Sequence, residues 1–209
     1  MTTLLVTGFG PFPGAPFNPT TPLVKRLARL RRPGLATVRI VGHVFPTSFS
    51  AVERELPALI AKYKPDAILM FGLAGRAKRV RIETRARNAL ALLPDVEGAT
   101  VHRTKIAPGG PAALVMPAPA MRLLNAAHAA RVPAVLSRDA GRYLCNYLSW
   151  RAAEAVTVKG GPRLAAFVHV PPVPRIQRPP RPDKPHISQN DLARAGTALL
   201  MALGAAARR

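Results

Sequence analysis

Cysteine is nearly missing from this sequence: Cys145 is the single one in 209 residues. That excludes an intrachain disulfide and any paired-cysteine zinc or redox site. Acidic residues are scarce as well, 10 against 31 Lys and Arg, for a formal net charge of +21. Such a balance invites a nucleic-acid reading, because cations displace the counterions of phosphates. Aromatic residues are only 5% of the chain, however, and few rings are available to stack on bases. The spacings of RRM, KH, helix-turn-helix and zinc-finger modules are missing too. Nonspecific attraction to polyanions is expected, but no specific nucleic-acid partner. Long hydrophobic runs are also missing. The uncharged stretch Ile106 to Met121 carries four prolines and is too short and broken for a membrane span. The start, MTTLLVTGFG, has no basic segment ahead of its apolar run, so no signal peptide is expected and the chain is assigned to the cytoplasm.

What is present describes a globular chain. Hydrophobic residues make up 48% and charged residues 20%, and the length suits one domain, residues 1–209, with a sizeable core. Prolines number 23, well above the usual share of about 5%, so stops and extended loops should be frequent. Apolar runs of strand length occur at Thr3–Gly8, Thr37–Val44, Asp66–Gly72, Ala134–Ser137 and Leu164–Val170. Arg79–Arg87 alternates and reads as one further strand, with Arg79, Arg81, Glu83, Arg85 and Arg87 on one face. Between these lie helical patterns. One opens at Thr20 or Thr21 with Pro22 in its first turn, and one opens at Ser50 with Glu53 completing a capping box. Others span Met121–Arg131 and Gly141–Val158, and a last one is capped by Asn190 or Asp191. Residues 171–185 hold seven prolines and read as an extended loop. Strands alternating with helices indicate an α/β fold: a single-domain, three-layer α/β/α sandwich around a mostly parallel twisted sheet.

Familiar cofactor and catalytic motifs fail. TGFG at the first strand suggests a dinucleotide loop, but Pro11 and Pro13 prevent a helix from opening there. No GxxxxGK[ST], HExxH or GxSxG occurs, and no metal or organic cofactor is expected. Cys145 is more informative, because it lies at or near a helix start, where backbone N–H groups stabilise a thiolate and offer donors to an oxyanion. A buried, inert thiol is the competing reading. A thiolate nucleophile needs a base, and His169 ends the strand Ala165–Val170, where sites of open α/β sheets form. His43 also ends a strand and is second choice. His128 and His186 read as solvent-facing, and His102 as without a particular role. Glu83, a single carboxylate among four arginines, would complete a triad; a plain salt-bridging strand face is the alternative.

Taken together, these segments resemble the pyroglutamyl peptidase I (pyrrolidone-carboxylate peptidase) family of cysteine peptidases. The resemblance is carried by Thr7-Gly-Phe9 with Pro11-Phe12, by Asn18-Pro-Thr20 and by Gly72-Leu-Ala-Gly-Arg76. It continues through Glu83 with Ala86 and Asn88, Pro94-Asp95 with Gly98, and Gly110-Pro-Ala112. Its strongest pieces are Ala140-Gly141 with Leu144-Cys-Asn146, and Phe167-Val-His-Val-Pro171. It implies a Cys145–His169–Glu83 triad on an α/β sandwich that removes N-terminal pyroglutamate from peptides, without metal or cofactor, in a homo-oligomer (dimer or tetramer). Phe9 and Phe12 would wall the lactam pocket and Arg76 would support the substrate or oxyanion. The chain departs from the family pattern at Gly10, Pro13 and Val96, and at Leu92, where family members carry an arginine. Arg85 or Arg87 would then have to serve in that arginine's place. The alternatives are a diverged member acting on other N-blocked peptides and, last, a basic nucleic-acid-binding protein.

Overall fold

A computed structural model describes residues 1–173 and 187–208. The helix expected at the end begins inside that second stretch, while the proline-rich loop beyond Val173, with His186, lies outside the described residues. Six strands form one sheet: β1 (Thr2–Phe9), β2 (Val38–Phe45), β3 (Ala67–Leu73), β4 (Val80–Glu83), β7 (Ala134–Ser137) and β8 (Leu164–Val170). Their order is β2-β1-β3-β8-β4-β7. The first four run parallel; β4 is antiparallel to β8 and parallel to β7. Apart from the turn of a 3₁₀ helix at Pro33–Leu35, the helices are α1 (Thr20–Ala28), α2 (Phe49–Tyr63), α3 (Ala120–Ala129), α4 (Leu144–Thr157) and α5 (Gln189–Ala207).

Strand periodicity divides the core in two. Successive strand side chains point to opposite faces, so Leu4 and Val6 of β1, Leu69 and Phe71 of β3 and Val168 of β8 pack under α1, α3 and α5. Their alternates Leu5, Ile68, Met70 and Phe167 pack under α2 and α4. The three layers foreseen from the sequence are therefore present.

Three local expectations are corrected. The stretch Arg79–Arg87 is not one strand. β4 ends at Glu83, Thr84 turns its N–H and hydroxyl to the carbonyl of Ser137, and Arg85–Arg87 becomes β5, which leaves the sheet to pair antiparallel with β6 (Ala113–Val115). The five charged residues consequently do not share one face. Helix α2 is capped by Ser48, whose extended backbone lets Oγ accept from the Ala51 N–H; Ser50 and Glu53 lie inside the first turns. Helix α5 is capped by Ser188 with Asp191 three residues on, a reciprocal capping box, so neither Asn190 nor Asp191 is the cap.

Candidate active site

Parity and register bring the sequence-predicted triad together. On β8, residues 165, 167 and 169 face α2 and α4 because Ala165 and Phe167 pack there. On β4, Val80 and Ile82 point to the opposite layer, so Arg81 and Glu83 point to the same side as His169. The antiparallel register sets Arg81 beside His169 and Glu83 beside Phe167. Glu83 is 1% exposed and His169 5% exposed, and the imidazole Nδ1 donates to Glu83 Oε1 at 2.8 Å. Glu83 thus holds the imidazole as well as pairing with Arg81 of its own strand. Arg81 Nε also stands 3.4 Å from Oε1 and donates to Ser137 Oγ, Arg81 Nη2 donates to Ser137 Oγ and the Asp139 carbonyl, and Glu83 Oε2 is buried without a partner among the described residues.

The thiol comes from the opposite wall. Cys145 occupies the first turn of α4, whose first internal bond runs from the Tyr147 N–H to the Tyr143 carbonyl. The N–H groups before Tyr147 therefore have no partner within the helix and are available to an anion. Gly72 of β3, in register with His169, makes room for the sulfur: a Cβ there would stand 2.6 Å from Cys145 Sγ and 2.7 Å from the Phe167 ring. Any side chain at position 72 would displace the sulfur or the aromatic ring beneath it.

Asn146, fully buried, ties this helix start to the segment that leaves the acid's strand. Its Oδ1 accepts from the Arg87 N–H, and its Nδ2 donates to the carbonyls of Arg87 and Ala89. The spacing between Glu83 and Cys145 across the site is fixed by a side chain that does no chemistry itself.

Cys145 and His169 line one cavity of about 170 Å³ with Phe9, Phe12, Asn18, Thr47, Leu73, Ala140–Leu144 and no acidic residue. Phe12 sits at the base of a tight turn closed by reciprocal bonds with Ala15, in which Gly14 takes φ 85°. Proline at position 13 suits such a turn, since its fixed φ fits the residue preceding a positive-φ glycine. Gly10 meets the site through its carbonyl, which accepts from Asn18 Nδ2 and Thr47 Oγ1.

Cys145 and Glu83 both favour the charged form of the ring. Burial of His169 opposes its protonation, but the charge and hydrogen bonding of the Cys145 thiolate, then of Glu83, more than offset it and push its pKa up to about 9. Arg76 lies exposed in the turn after β3 and does not line the cavity. Arg85 and Arg87 do not line it either: Arg85 donates to the Arg138 carbonyl and Arg87 pairs with Asp139. Leu92 and Val96 are 57% and 44% exposed. His43 is spent on Glu55 at 2.8 Å, and His128 on the Ala134 carbonyl. Sequence reasoning missed Asn146 as a clasp and Arg142 in the cavity wall; the only signal for either was its nearness to Cys145.

Comparison with known proteins agrees with this geometry. A family model described as pyroglutamyl peptidase matches residues 2–208. The chain belongs to the pyroglutamyl peptidase family. A pyrrolidone-carboxylate peptidase of Pyrococcus furiosus is 34% identical over 82% of this chain and 81% of its own length. One of Ralstonia nicotianae is 33% identical over 91% and 87%. Among solved structures, a pyrrolidone carboxyl peptidase from the hyperthermophile Pyrococcus furiosus superposes with a TM-score of 0.87 at 29% identity, covering 99% of this chain and all of that one. No helix among the described residues is long and apolar enough to cross a membrane.

Proposed function

We propose that this pyroglutamyl peptidase family member releases N-terminal pyroglutamate from peptides with Cys145 as nucleophile, His169 as acid–base and Glu83 as the group that orients the imidazole. The observation that carries the reading is the convergence of Cys145 and His169 on one small cavity: a thiol at a helix start, and an imidazole whose far nitrogen is held by the buried carboxylate of Glu83 behind it. The cavity suits a five-membered lactam, which bears no charge and is walled here by Phe9 and Phe12.

The reaction follows from those positions. The Cys145 thiolate adds to the pyroglutamyl carbonyl, and the oxygen's charge falls to the free N–H groups of the α4 first turn. His169, charged at neutral pH, gives its proton to the departing amine as the C–N bond breaks. A water then loses its proton to the neutral imidazole and adds to the thioester, and the C–S bond breaks to release pyroglutamate and restore the thiolate. Glu83 keeps Nδ1–H pointed inward throughout and stabilises the ring's positive charge. Arg76, as placed, has no part in these steps.

A single unpaired nucleophilic cysteine fits a reducing compartment, so a cytoplasmic protein is the accompanying reading. Self-association is the other; the exposed apolar side chains Leu92, Leu93 and Val96 at one loop fit it, and sedimentation velocity checks it. The deciding test is iodoacetamide treatment followed with a fluorogenic pyroglutamyl amide. One label per chain should abolish turnover, and activity that survives stoichiometric labelling would refute the assignment.

A further inference from the structure

A cavity of about 170 Å³ holds the pyroglutamyl ring and little more, so the rest of the peptide must leave across its rim. Of the ionisable residues that line the cavity, Cys145 and His169 perform the chemistry and the Tyr143 hydroxyl donates to the Pro94 carbonyl. The fourth is Arg142. It is exposed, and its guanidinium meets no carboxylate or other acceptor among the described residues. Its surroundings add to the imbalance. Arg87 pairs with Asp139 at 3.1 Å, Arg85 and Arg81 donate to the carbonyls of Arg138 and Asp139, and Arg138 itself is exposed. Asp139, held below the usual carboxylate range by the Gly141 N–H and by Arg87 against the opposing effect of burial, is the one exposed acid of this group. On the far side, the Asp95 carboxylate is buried and spent on the N–H groups of Phe49, Glu97 and Ala99. Glu97 is spent on the hydroxyls of Ser48 and Ser50. Neutral hydrogen-bond partners leave all these charges in place, yet Arg81, Arg85, Arg87, Arg138 and Arg142 outnumber Asp95, Glu97 and Asp139, so the balance around the mouth is positive, inside a chain of net charge +21.

We propose that Arg142 makes this site selective for peptides that carry a carboxylate just beyond the pyroglutamyl residue. The inference rests on the pyroglutamyl-peptidase reading and names its substrate class. A guanidinium offers a planar fork that a carboxylate accepts through two bonds. The arginines behind it raise the local concentration of anionic substrates. The carboxylate can be an aspartate or glutamate side chain, or the free α-carboxylate of a dipeptide.

Four peptides separate these cases: pyroglutamyl-Ala-Ala-amide as neutral reference, the -Asp-Ala-amide and -Lys-Ala-amide analogues, and pyroglutamyl-Ala with a free carboxylate. At low ionic strength kcat/KM for the aspartyl peptide should exceed that of the reference by about 3–5-fold, the range of a good exposed ion pair, and the lysyl peptide should fall below it. The gain should lie in KM, because the contact is remote from the reacting carbonyl, and it should shrink toward unity in 0.5 M salt. Preference for the free dipeptide over the neutral reference would assign the contact to the terminal carboxylate, and preference for the aspartyl amide to a side chain; either supports the proposal. Arg142→Gln should erase the ratio and Arg142→Glu invert it, while Arg122→Gln, on the opposite layer, should leave it intact. Turnover of the neutral peptide without acidic preference would overturn the proposal and leave the peptidase reading standing. An equal loss on all four peptides in Arg142→Gln would overturn it as well, making Arg142 a general catalytic cation. Failure to turn over even the neutral peptide would overturn both.

Discussion

The two faces of the sheet are built from the same strands and carry different work. Under α1, α3 and α5 the buried residues are almost all Leu, Val and Ala, with glycines that let helices come close. Under α2 and α4 the packing is aromatic, with Phe45, Phe49, Tyr147, Trp150 and Phe167, and every member of the triad opens onto this side. Alternate residues of β4 and β8 thus divide between stability and chemistry. A slip of one residue in either strand would preserve much of its apolar character and lose the site.

Substitutions that respect this division should separate activity from stability. Cys145→Ala should lower kcat by at least about 10³-fold without moving the thermal midpoint appreciably. Because the thiolate is the foremost favourable influence on His169, the same variant should bring its titration, followed by NMR, down from about 9. An unmoved titration would detach the ring from the sulfur.

Glu83→Gln should cost two or more orders of magnitude in kcat, since the imidazolium loses its orienting charge. The wild-type alkaline limb of kcat/KM should lie near pH 9, where His169 gives up the proton destined for the leaving amine, and it should move to lower pH in the variant. The stability consequence has a definite sign. A folded-state pKa raised from 6.5 to about 9 stabilises fully below 6.5 and is lost as pH climbs through 9. Urea midpoints across that window should fall more in the wild type than in the glutamine variant.

Gly72→Ala follows, with about a 10–10²-fold loss as the added Cβ displaces Sγ from the carbonyl's line of approach. Its counterpart on the other layer, Gly204→Ala, places a Cβ 3.1 Å from Leu4 Cδ1 and should affect only stability. Smallest in activity is Leu203→Ala, a fully buried position under the catalytically silent layer. It should cost about 2–5 kcal/mol of folding stability while kcat, measured well below the melting temperature, stays unchanged. If it altered kcat instead, the two faces would be mechanically linked.

Much of this division was legible in the chain itself. The five parallel-type apolar runs, the helices between them and the order Glu83, Cys145, His169 could all be read because strand and helix periods are local properties. What could not be read depended on pairing between distant segments. Thr84 ends β4 by bonding Ser137, so the alternation of Arg79–Arg87 looked continuous although its two halves enter different sheets. The antiparallel sense of β4, which sets Glu83 beside the ring instead of beyond it, is likewise invisible without β8. The caps went to Ser48 and Ser188 because backbone angles, not residue type alone, decide which of several neighbouring hydroxyls or carboxylates turns back onto a helix. Arg76 attracted attention through its motif, yet it is Arg142 and not Arg76 that lines the cavity.

The position of β8 has a consequence for how the protein comes into being. Among the described residues, the last strand to leave the ribosome is a middle strand of the sheet, flanked by β3 and β4. Until it arrives, β2-β1-β3 and β4-β7 are separate ribbons with no shared edge, and Glu83 has no imidazole to hold. Synthesis therefore delivers Glu83 first, Cys145 second and His169 third, and the step that closes the sheet is the same step that brings the imidazole to its carboxylate. On the proposed mechanism, a chain interrupted before Leu164 carries a thiol without its base.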